Sequence, residues 1–234
     1  LQKFGFYNDT APPVQSECND FGFISTGGFP PATLVQFKQV HAYSTPIELD
    51  SPITQGNFLV AIVMRQGVVG GETFTDSLGN TWTQFNTVTD SGLASRMVGF
   101  YCYNCIGGTE IITSTIIGVQ TWFIAEYSGI LSTSTPLITS GVNSGGNSPL
   151  TNALTYSDDA MIFSCWYNRV NNSQTSIYQN ALSFINQDIA QINSFNSQMH
   201  SLKKMADLSP LTIGITTNTS PVNLLITGVF KLGL

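Results

Sequence analysis

Charge is scarce in this chain. Only 9% of its 234 residues are Asp, Glu, Lys or Arg, against about 25% in an ordinary globular protein. The 8 basic and 14 acidic residues leave a net charge of −6 and a pI near 4.6. No cationic stripe is present to neutralise phosphates, so nucleic acid is not an expected partner. Long apolar runs are lacking too. No stretch reaches the ~18 residues of a membrane-spanning helix, and membrane insertion is not expected. The chain opens at Leu1 with no initiator Met, charged leader or apolar leader, which reads as a soluble, already processed chain or as a segment of something longer. With 42% hydrophobic residues and so little charge, the surface must be covered by Ser, Thr, Asn, Gln and Gly, a composition of the cell exterior or of a virion.

Reactive side chains are few. The four cysteines, Cys18, Cys102, Cys105 and Cys165, permit three pairings, among which spacing does not choose. Cys102 and Cys105 form a C-x-x-C, but it ends a β-type run, Val98 to Tyr103, and precedes Gly107-Gly108 instead of opening a helix. Redox catalysis is therefore not expected. A zinc site would want a second close Cys/His pair, whereas Cys18, Cys165, His41 and His200 are scattered, so no metal is expected. One or two structural disulfides, or small buried thiols, is the plainer reading.

Catalytic patterns are missing as well. There is no G-x-S-x-G, and only His41 and His200 could serve as imidazole bases. A glycosidase needs two facing carboxylates about 5 to 9.5 Å apart, and no E-x-D-x-E ladder occurs. Glu126, placed with Trp122 and Ile124 by alternation, is the best single acid. It reads more simply as a glutamate near a strand end, hydrogen-bonded to backbone or to a tyrosine. Asp158-Asp159 reads as a solvated turn. Neither enzymatic activity nor a cofactor is expected.

What the sequence does contain is a succession of short apolar runs separated by Gly, Asn, Asp, Ser and Pro, without βα alternation, as sandwiches and barrels read. The candidate strands are 34–43, 58–65, 81–88, 95–103, 110–116, 119–127, 160–167, 211–217 and 223–232. Phe58 to Met64 is continuously apolar, as in a strand covered on both sides. In the last strand Leu224, Ile226, Gly228, Phe230 and Leu232 share one face while Thr227 and Lys231 point away, which predicts a single buried face. Residues 177–207 carry apolar positions at spacings of three and four, yet are filled with Asn, Gln and Ser. Strands are expected over 181–195, with a helix the alternative, above all over 198–207.

Residues 1–32 form an N-terminal extension followed by one domain, 33–234. Six aromatics in the extension, Phe4, Phe6, Tyr7, Phe21, Phe23 and Phe29, are too many for a solvated linker. The segment must dock, either on its own domain or on a neighbouring subunit as an arm or added strand.

Asp76-Ser77-Leu78-Gly79-Asn80-Thr81-Trp82 is a turn leading into a strand: Asp76 and Asn80 close Asx-type bonds and Gly79 supplies a positive φ. Around it stand Pro31 to Gln36, Gly56 to Ala61, Phe100 to Asn104 with Gly107-Gly108-Thr109, Phe123 to Gly129 with its E-Y-S-G ending, and Val222 to Lys231. This order resembles a jelly-roll-like β-sandwich module of secreted bacterial proteins and of bacteriophage tail and virion proteins. The likeness spans roughly residues 31 to 232 and is weakest over 168–207. It implies a structural, displayed or adhesive unit, with no catalytic set to carry over.

The expected fold is thus all-β: a single antiparallel β-sandwich of jelly-roll type with an extended N-terminal arm. The expected function is a non-enzymatic structural or displayed subunit of an extracellular or virion assembly, such as a phage capsid, decoration or tail component or a filament subunit. Its partners would be itself or other subunits, joined by apolar contacts of Phe4, Phe6, Tyr7, Phe21 and Phe23. The alternative is a carbohydrate-binding or adhesin head, in which Trp82, Trp166, Tyr167 and Tyr178 would stack on surface glycans. Calcium at Asp76 and Asn80 would have one carboxylate, too few for a convincing oxygen cage.

Overall fold

In the computed structural model the described residues are 32–42, 46–66, 71–90, 94–115, 120–144, 153–155, 160–168, 174–179, 182–183, 185–192, 195–204, 213–217 and 223–233. Among them there is no helix. The strands are β1 (Thr33–Ala42), β2 (Ile47–Glu48), β3 (Phe58–Gln66), β4 (Phe74–Asp76), β5 (Thr83–Asp90), β6 (Ser95–Cys102), β7 (Ile111–Ser114) and β8 (Gln120–Ser128). They continue with β9 (Leu137–Ser144), β10 (Ala160–Asn168), β11 (Gln174–Gln179), β12 (Leu182–Ser183), β13 (Ile185–Ile192), β14 (Phe195–Lys204), β15 (Ile213–Thr217) and β16 (Asn223–Lys231). All pairings between them are antiparallel. The all-β, antiparallel sandwich expected from the sequence is the fold observed.

Two five-stranded sheets make the sandwich, in the orders β1-β8-β3-β6-β5 and β13-β14-β10-β16-β9. Alternation along β3 explains how they meet. Phe58, Val60, Ile62 and Met64 face the second sheet, where Met161, Phe163, Cys165, Leu224, Ile226 and Phe230 complete one core. Leu59, Ala61 and Val63 face the opposite way into another core, roofed by the small sheet β2-β7-β4 through Ile47, Ile112 and Phe74. With both faces covered, no residue from Phe58 to Met64 is more than 1% exposed, which is why this run has no polar alternation.

Aromatic rings fill both layers. Phe58 packs edge-on to Phe230 at 4.9 Å between the sheets. Phe74 stacks on Phe100 at 3.9 Å and on Trp122 at 4.8 Å under the small sheet. At one edge the sandwich is also stitched by hydrogen bonds: Asn86 Nδ2 of β5 donates to Ser140 Oγ of β9, which in turn donates to the Phe85 carbonyl, each at 3.0 Å.

The terminal strand departs from the expected single buried face. Leu225, Thr227 and Val229 are as buried as Leu224 and Ile226, because Leu225 and Val229 join Leu154, Ile162 and Trp166 in a third cluster on the outer side of the second sheet. Thr227 is accommodated by pairing its hydroxyl with Ser164 Oγ at 3.0 Å. The helical alternative is also corrected over 198–204, while 205–207 lie outside the described residues. Gln198 to Lys204 lie in β14, in register with β10, so neighbouring backbone donors and acceptors override the weak three-and-four spacing. Strands β12 and β13 cover most of 181–195, as expected.

Candidate functional site

The densest polar constellation sits at the loop end of the first sheet, where β4 leads into β5. Asp76 organises it. One carboxylate oxygen, Oδ1, accepts the backbone N–H groups of Leu78 and Asn80, each at 3.0 Å, and the other, Oδ2, accepts the Trp82 indole N–H at 2.7 Å. Gly79 turns the chain at φ +79. Asn80 Oδ1 then accepts the N–H of Ile106 at 2.7 Å, tying this turn to the loop after β6. Both residues therefore spend their oxygens on N–H donors, whose positive ends point where a cation would sit. Among the described residues no group of three or more His, Cys, Asp or Glu is placed to hold a metal.

Beside the turn lies Glu110, fully buried. No N–H or O–H group of the described residues donates to either of its oxygens. Burial first, then the Asp76 carboxylate, pushes its pKa up to about 9. That keeps Glu110 protonated at neutral pH. Sequence reasoning passed over this residue; the signal was a glutamate directly before an apolar strand, behind Gly107-Gly108-Thr109.

Glu126 is equally buried but saturated with donors. Gln36 Nε2 and Asn57 Nδ2 each donate to it at 2.6 Å and the Thr54 backbone N–H at 2.9 Å. It fastens β8 to the edge strand β1 and to the 54–57 loop. It is a structural tie between these elements.

Cys102 and Cys105, at the end of β6, are brought together with their sulfurs 2.8 Å apart as free thiols. Cys165 lies in the core between the two large sheets, whereas the other two lie in the core beneath the small sheet. The first sheet stands between them, so a Cys165 disulfide to either is ruled out. Cys18 lies outside the described residues, as do Phe4, Phe6, Tyr7, Phe21 and Phe23 of the arm.

Two of the four residues considered for glycan stacking are buried. Trp166 and Tyr167 are core residues, 1% and 4% exposed, and their rings offer no face to a sugar. Alternation places one in each layer beside β10, where burial outweighs any surface role. Trp82 is half-buried, set edge-on to Phe74 at 5.8 Å. Tyr178 stands in β11, and its side chain lies outside the described residues. A hollow of about 250 Å³ near the chain's end is lined by Gly56, Gly233 and residues 129–133. It holds no titratable side chain.

A second charged cluster went unread in the sequence. Arg65 of β3 stands opposite Arg96 of β6, and the buried Glu72 carboxylate lies 3.4 Å from Arg65 and 3.0 Å from Arg96. One acid between two guanidiniums offsets one of their two positive charges at the sheet's end. Compared with protein-family models, with curated proteins and with solved structures, the chain matches none.

Proposed function

We propose that this chain is a non-enzymatic structural or displayed subunit of an extracellular or virion assembly, a capsid, decoration, tail or filament component. Its fold would be of jelly-roll type. Its partners would be copies of itself or other subunits of the same assembly, met through apolar contacts of the N-terminal arm. The observation that carries this reading is the edge strand β1. It pairs with β8 on one side and has no strand on its other side among the described residues. Two of the exposed large apolar residues, Leu34 and Val35 at 36% and 46% exposure, stand side by side at its start, directly after the aromatic segment 1–32. An unpaired edge beside exposed apolar side chains is a template for strand addition.

The buried acids Glu72, Glu110 and Glu126 are engaged with arginines, with Asp76 and with N–H donors, respectively. Light scattering and negative-stain electron microscopy of the native protein test the proposal. Repeating particles or filaments are expected, and deleting residues 1–24 should leave a folded monomer that no longer assembles. A truncated chain that assembles normally overturns the arm's role. A native protein that stays monomeric and binds on a glycan array returns the reading to a carbohydrate-binding head, resting on Trp82 and Tyr178.

A further inference from the structure

The loop after β6 is built to hold two sulfurs together. Cys102 ends the strand, and Asn104, two residues on, takes φ +52, a left-handed conformation that asparagine tolerates better than most side chains. The reversal carries Cys105 back beneath Cys102. Its new position is clamped from outside: the Cys105 N–H donates to the Asn57 carbonyl at 3.0 Å, the Cys105 carbonyl accepts from Gly56 N–H at 2.8 Å, and the next N–H, of Ile106, donates to Asn80 Oδ1. The sulfur separation of 2.8 Å thus follows from the surrounding loops as well as from the C-x-x-C spacing. A disulfide bond is about 2.03–2.05 Å long, so a movement of less than about 1 Å closes it.

We infer that Cys102 and Cys105 are an oxidation site that closes into an intrachain disulfide in an oxidising compartment, a modification that does not depend on how the chain assembles. The co-reactant is a small-molecule disulfide such as oxidised glutathione. One cysteine thiolate attacks it, forming a mixed disulfide and expelling one glutathione thiolate. The second cysteine thiolate then attacks the protein sulfur of that mixed disulfide and expels the other. The protein loses two protons and two electrons, which the two glutathione thiols carry away.

Both sulfurs are buried, Cys102 at 2% and Cys105 at 1% exposure. The Cys105 S–H is held by Cys102, and that bond with burial keeps its thiol well above the ordinary cysteine range. Exchange in the closed fold is therefore slow, and the bond forms while the loop is open. Cys165, across the first sheet, is out of reach of both.

The test equilibrates the full chain with reduced and oxidised glutathione at a denaturant concentration within the unfolding transition, so that both thiols are reached, then returns it to native conditions. After acid quenching, free thiols are alkylated in denaturant and the chain is cut after Arg96 and after Glu110. The 97–110 peptide carries Cys102 and Cys105 and neither other cysteine. The expected peptide is two hydrogens lighter than the dithiol and takes up no alkyl group until reduced, then two. A peptide alkylated twice before reduction overturns the inference, as does one linked to glutathione, to Cys18 or to Cys165. A reductant should also lower the unfolding midpoint of the oxidised chain and leave that of Cys105→Ser unmoved; equal shifts in both would overturn it as well.

Discussion

The carboxyl group of Glu110, fully buried, is pushed up in pKa by burial and by the carboxylate of Asp76, which holds the indole N–H of Trp82 at 2.7 Å. This relationship gives the fold a pH dependence of defined sign. The Glu110 pKa rises from an ordinary 4.5 to about 9 on folding, so between those values the native state holds a proton that the unfolded chain has released. Its contribution is complete below about pH 4.5 and is lost as pH climbs toward 9, at up to about 1.4 kcal/mol per pH unit. Denaturant unfolding at pH 5, 7 and 9 should give falling midpoints for the native chain. Glu110→Gln, which cannot ionise, should flatten that slope. Parallel slopes for the two chains would show that Glu110 is not the group responsible.

Glu126 is a second buried acid, and three donors meet it. Removing it strands three donors from Gln36, Thr54 and Asn57. Glu126→Ala is expected to cost roughly 3 kcal/mol or more, because each orphaned donor bears its own desolvation penalty. Glu126→Gln keeps one acceptor oxygen and should cost about half as much. Urea unfolding of the three chains measures this, and a Glu126→Ala chain within ~0.5 kcal/mol of the native one would contradict the donor network.

How legible these features are in the sequence depends on their range. Alternation and continuous apolar runs predict β3, β6, β8 and β10, because burial on one or both faces is written into the side chains themselves. The Asp76 turn is legible for the same reason: its bonds to Leu78, Asn80 and Trp82 span no more than six residues. The short strands β2 and β4 and the polar edge strand β9 leave little pattern of their own and exist through their partners. Glu126 and Glu110 could be singled out or missed by residue type alone, since the donors to the one lie 69 to 90 residues away and the Asp76 carboxylate beside the other lies 34 residues away. Trp166 and Tyr167 look like binding aromatics in sequence because nothing local reveals that β10 is covered on both sides.

Close packing between β5 and β6 supplies a sharper test of the first sheet. The Phe85 ring lies over Gly99, where an added Cβ would fall 2.2 to 2.8 Å from three of its ring atoms. The ring has little room to retreat, being edge-on to Phe230 at 5.6 Å and close to Gly228. Gly99→Ala should therefore destabilise by about 2–3 kcal/mol through overpacking. Phe85→Leu alone should also be costly. The double substitution should cost clearly less than the two added together, since the clash disappears with the ring. Additive losses in a thermal or urea cycle would mean that Gly99 and Phe85 are not in contact.

The edge of β1 offers a substitution that separates assembly from stability. Register slips between Leu34 and Gln36 in the β1–β8 ladder, so Val35 sits at an irregularity with no partner residue in the register, and it is 46% exposed. Lysine there adds a charge to an edge that has little, with a long stem that reaches water. Val35→Lys should change the unfolding free energy by no more than about 0.5 kcal/mol, as surface substitutions do. If β1 receives a strand or an arm from a neighbouring subunit, the same substitution buries an unpaired ammonium in the contact, and assembly should fail. Sedimentation of the native and Val35→Lys chains at matched concentration distinguishes the outcomes. Loss of assembly with unchanged stability places the contact at this edge; normal assembly would move it away from β1.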